Sequence, residues 1–78
     1  MRPLFIIARD IELTWTSGKG VSPYARPYLN AMHELNSIHD YYITEPADMV
    51  VRYFLSNANG WRGEDAKRIK AELKGMLA

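Results

Sequence analysis

Two histidines, His33 and His39, stand six residues apart beside Glu34 and Asp40, and any metal site would have to be built around them. A helix presents a metal-binding pair at a spacing of three or four, so this pair would need a fold-back and outside ligands. No metal is expected. Serine, histidine and carboxylates are all present, but no serine sits in a glycine-flanked elbow and no base is set beside an orienting acid. Catalytic residues, and with them an enzyme, are therefore not expected. Gly18-Lys19-Gly20 lacks the longer glycine frame of a phosphate loop and the Ser or Thr that follows its lysine. It reads as a turn, and no cofactor is implied.

What remains is binding. Lys67, Lys70 and Lys74 fall on one side of a predicted helix with Arg62 near its start, a pattern in which a phosphate backbone meets several cations together. Against it, Glu64, Asp65 and Glu72 share the segment, Arg62 to Ala78 nets only +2, and lysine stripes are as a rule solvated faces. Met49, Tyr53 and Trp61 point to a protein partner, since Trp and Tyr anchor interfaces and Met adapts to irregular ones. Trp61 also has a structural use, plugging the joint that follows Asn59-Gly60.

Helices must position these side chains. Leu4, Ile7, Ala8, Ile11 and Trp15 share one helical stripe with Gly18 beyond its end. Ile11, Leu13 and Trp15 also alternate with Glu12, Thr14 and Thr16, as in a short strand, but the longer periodic match predicts helix. After a loop over 17–23, Pro27 opens a second helix carrying Tyr28, Leu29, Met32 and Leu35 and ending near Asn36-Ser37. Residues 38–43 read as a connection whose aromatic rings cover the core edge, with a short extended piece as the alternative. Thr44-Glu45-Pro46 signals the start of a third helix. Its broad apolar face holds Ala47, Val50, Val51, Phe54, Leu55 and Ala58, while Met49 and Tyr53 stand opposite. A helix apolar on two sides is central in its bundle or lies at an interface. The last helix carries Ala66, Ile69, Leu73, Met76 and Leu77 on one stripe, acids leading and lysines following, with Glu64 and Arg68 spaced to pair. The predicted fold class is all-α: a compact bundle of about four short helices forming one domain over residues 1–78, with a short N-terminal strand as the alternative.

Composition sets the frame. Seventy-eight residues allow one core, and a core this small gains from any oligomer interface. The absence of cysteine removes disulfides and fits a reducing compartment. Arg9, Asp10 and Glu12 cut the apolar run from Leu4 to Ala8 far short of a signal core or a membrane span, so a cytoplasmic location and no membrane partner are expected. A formal charge of +1 leaves any polyanion binding to a local patch.

The segment from Val51 to Lys74, above all Tyr53-Phe54-Leu55-Ser56-Asn57-Ala58 and Trp61-Arg62-Gly63, resembles a family of small bacteriophage-encoded proteins of unknown function. Pro27 to Met32 belongs to the same pattern. The resemblance implies a phage origin, hence the host bacterial cytosol, and by analogy of context an adaptor or inhibitor. The expected function is a protein–protein interaction module that inhibits or redirects a host factor, a defence system included, with Met49, Tyr53, Trp61 and Arg62 at the contact. The alternative is a small nucleic-acid-binding regulator acting through Lys67, Lys70 and Lys74, and a homo-oligomer is compatible with either.

Overall fold

The computed structural model describes all 78 residues. The first helix, α1 (Leu4–Thr14), buries Leu4, Ile7, Ala8 and Ile11, with Trp15 buried just beyond. Helix rather than strand follows from what each would bury. A strand would put Leu13 on one face with Ile11 and Trp15, whereas the helix leaves Leu13 79% exposed. No side chain caps its start; the amides of Leu4 and Phe5 donate instead to the carbonyls of Asn36 and Leu35, at 2.8 and 2.9 Å. In the following loop Gly18 and Gly20 both hold positive φ, so Gly18-Lys19-Gly20 is a turn that needs its glycines.

Helix α2 (Arg26–Met32) carries Pro27 in its first turn. It stops short of the expected Asn36-Ser37 boundary, because the amides of Glu34 and Leu35 reach back only three residues, to Ala31 and Met32. This tighter turn leaves the Leu35 and Asn36 carbonyls free to cap α1.

The expectation of a purely helical fold is corrected between α2 and α3. Strands β1 (Tyr41–Tyr42) and β2 (Glu45–Pro46) form an antiparallel hairpin, pairing Tyr41 with Pro46 and Tyr42 with Glu45. The strand pair therefore lies mid-chain, and the N-terminal third is helical. Thr44-Glu45-Pro46 does not open the helix, because Glu45 is paired to Tyr42 and Pro46 is extended at φ −63°, ψ 142°. Helix α3 (Ala47–Ser56) starts one residue later, its first amide donating to the Asp40 carbonyl at 2.8 Å. Helix α4 (Glu64–Leu77) carries the predicted apolar stripe, with Glu64 and Asp65 in its first turn and Lys74 in its last, but it begins after Trp61-Arg62-Gly63, where Gly63 holds φ 110°. Arg68, however, pairs with Asp65 and Asp10 at 3.0 Å each, not with Glu64.

Nineteen apolar residues from all four helices and their joints make one core. Trp15 and Trp61 stack at 5.2 Å within it, and Phe54 meets both edge-on. Two ionic clasps close it from outside. Arg2 is bidentate to Glu72, at 2.9 and 2.6 Å, and also reaches Asp10, joining the N-terminal segment to α4. Glu12 accepts two bonds from Arg26 and meets His33 at 2.9 Å, joining α1 to α2. No helix is long and apolar enough to cross a membrane.

Candidate functional site

The hairpin tip is the most unusual local geometry in the chain. A two-residue loop, Ile43-Thr44, connects the paired strands, and Ile43 holds φ +59°. Two-residue hairpin loops demand positive φ at the first position and normally place glycine, asparagine or aspartate there. A β-branched residue in that conformation is strained, yet the Ile43 side chain is 84% exposed and gains no packing for it. Tyr41 beside it is 67% exposed. The hairpin's base is firm: Tyr42 packs on the core, and the Asp40 carboxylate accepts the Asn36 and Ser37 amides at 3.0 and 2.8 Å. Those two amides hold the Asp40 carboxyl below its ordinary pKa.

Helix α3 leads directly out of β2. Met49 is half-buried and Tyr53, one turn on, is 40% exposed with its ring 5.5 Å from that of Tyr28 on α2. The second apolar edge of α3 is thus partly covered by α2. A cleft of about 360 Å³ opens on the other side of the hairpin, lined by Ile38, Tyr41, Pro46, Arg52 and Leu77 among others.

The four side chains expected at a partner contact do not form one patch. Met49 and Tyr53 share a face of α3. Trp61 is 2% exposed and belongs to the aromatic core. Arg62 is exposed at a different place, lining an open cleft of about 400 Å³ with Gly63, Glu64, Lys67 and Lys70. Of the lysine stripe, Lys67 and Lys74 are exposed, while Lys70 turns inward. Its ammonium donates to the Trp61 carbonyl at 2.6 Å and lies 5.9 Å from the Trp61 ring. Burial first, then the nearby charges of Lys74 and Arg62, pushes the Lys70 pKa below its ordinary value.

The histidines are apart in role. His33 meets Glu12 in the α1–α2 clasp, and His39 is exposed on the loop before β1. No three His, Cys, Asp or Glu side chains converge to hold a metal, and no buried side-chain polar atom lacks a partner.

Tyr41, Ile43 and Arg52 are the surface residues that spacing arguments pass over. The run Tyr41-Tyr42-Ile43-Thr44 carries the one available signal, four consecutive residues that favour strands. Compared with protein-family models, with curated proteins and with solved structures, the chain matches none.

Proposed function

We propose that this protein is a small protein-binding module that works by surface contact, with the hairpin tip and the adjoining outer edge of α3 as the contact. Ile43 carries the reading. A strained backbone with an exposed apolar side chain contributes nothing to folding, and such strain is characteristic of positions kept for contact with something else. Tyr41, Met49 and Tyr53 add amphipathic and adaptable area beside it. The phage setting, with a host factor as the protein inhibited or redirected, is supported by the blocks Tyr53 to Ala58 and Trp61 to Gly63 alone. Phe54, Ala58 and Trp61 within them are core residues, so that likeness speaks for the fold rather than for the contact.

Ile43→Asn separates contact from stability, because asparagine tolerates positive φ and removes the apolar tip. The variant should be as stable as wild type or more so, by about 1 kcal/mol, the low end of the cost of a left-handed L-residue. In affinity capture from a bacterial lysate it should lose the partner that wild type retains, and Tyr53→Ala should weaken the same capture. Equal recovery by wild type and both variants, or no specific partner for wild type, defeats the proposal.

A further inference from the structure

Acids are placed to neutralise three of the arginines: Arg2, Arg26 and Arg68 are held by Asp10, Glu12, Asp65 and Glu72. Of the other basic side chains, Arg9, Lys19 and Arg52 stand apart on α1, the α1–α2 loop and α3, and four gather about the α3–α4 joint and along α4. Arg62, Lys67, Lys70 and Lys74 enter no ion pair, and neither does Glu64, the one acid lining their cleft. Arg62 and Lys74 are near enough to Lys70 for their charges to disfavour its own. Like charges gathered about a cleft whose one lining acid, Glu64, they outnumber raise the free energy of the folded chain, and a bound polyanion reverses that sign.

The cluster is also partly pre-ordered. Lys70 is fixed by the Trp61 carbonyl, so its ammonium is held at the cleft floor while Lys67 and Lys74 flank it on the exposed side of α4. Lys67 and Lys74 are separated by seven residues, about 10.5 Å along a helix. Over that length one strand of B-form DNA presents about three phosphates. Arg62 adds a planar fork suited to phosphate oxygens. A single phosphate engages only part of this row, whereas a continuous backbone engages all of it.

We propose that the cleft at the α3–α4 joint, lined by Arg62, Lys67 and Lys70 and continued along α4 by Lys74, is a binding site for the phosphodiester backbone of a nucleic acid. It is separate from the hairpin surface, so Ile43→Asn should leave it intact and the two proposals stand or fall independently.

The test is fluorescence anisotropy of a short labelled DNA duplex titrated with the full chain. With three phosphates neutralised, affinity should fall about forty-fold between about 50 and 200 mM salt. In Lys67→Gln/Lys74→Gln, which changes only exposed side chains and leaves Arg62 and Lys70 to two phosphates, the fall over the same range should shrink to about twelve-fold. Arg62→Gln, outside any helix, gives an independent loss of affinity should the double variant melt early. Absence of binding by wild type at low salt overturns the proposal, as does a salt dependence unchanged in the variants. Displacement of the duplex by inorganic phosphate or polyglutamate at equal charge concentration also overturns it, since the site would then answer to charge without regard to the backbone.

Discussion

Trp61 lies 2% exposed, its ring stacked on Trp15 at an interplanar angle of 9° and edge-on to Phe54, so truncating it opens a hole that three helices and a joint would have to fill. Trp→Ala in such a site costs about 3–5 kcal/mol. A chain of this length has about 4–12 kcal/mol in total. Trp61→Ala should therefore lose at least about a quarter of the urea midpoint, read by far-UV circular dichroism; a midpoint near wild type would remove Trp61 from the core. The consequence reaches function, because no loss of binding in that variant can be separated from loss of fold. Tyr53→Ala is the informative substitution: its ring is 40% exposed and gives up one aromatic pair, with Tyr28, about 0.5–1.5 kcal/mol beyond area.

Among elements, α1 is tied to its neighbours by charge as well as by apolar contact, and that tie has a pH signature. Arg68 and Arg2 hold the Asp10 carboxyl below its ordinary 3.8, and Arg26 and His33 hold Glu12 below its ordinary 4.5. Arg2 does the same for Glu72. A depressed carboxylate contributes stability that is fully present above its unfolded pKa and is lost as pH falls through the folded one. The melting temperature should be level from neutral pH down to about 5 and drop below about 4.5, and Arg2→Ala/Arg26→Ala should flatten that acid limb. Parallel acid limbs in the two proteins would show that the clasps contribute nothing. Sequence periodicity reveals α1 and α4 because each buries several side chains at helical spacing, which no two-residue alternation reproduces. The hairpin escapes it because two residues per strand are too few to alternate, and because Thr44-Glu45-Pro46 fits a helix start equally well. What decides for the hairpin is the Ala47 amide donating to Asp40, a contact across the turn that no local rule contains. The site divides in the same way. Tyr53 stands off the core face of α3 in any helical projection, whereas Arg62 joins Lys67 and Lys70 only once Trp61 has packed the joint.

For the whole molecule, size and surface bear on how many copies act together. The exposed area is 4883 Å², and a folded monomer of 9.0 kDa is expected to expose about 4,850 Å². The radius of gyration, 11.3 Å, agrees with the value of about 11.5 Å expected for a compact chain of this length. A stable homodimer would cover about 800 Å² per copy, roughly a sixth of this surface. The large exposed apolar side chains do not supply such a face. Met1, Leu13, Tyr24, Tyr41, Ile43 and Tyr53 come from the segment before α1, α1, the α1–α2 loop, β1, the hairpin turn and α3, and the charged clasps of Arg2 and Arg26 occupy part of the ground beside α1. The core is closed without a second copy, since its nineteen members include every large buried side chain and no polar group is buried among them. Light scattering at micromolar concentrations should therefore return a single species of 9.0 kDa. A mass twice that would mean that Ile43 and its neighbours are covered by another copy of this chain, and Ile43→Asn would then restore the monomer. A monomer for both proteins, with capture of a foreign partner only by wild type, leaves the hairpin tip free for that partner and fits a chain whose small core is complete by itself.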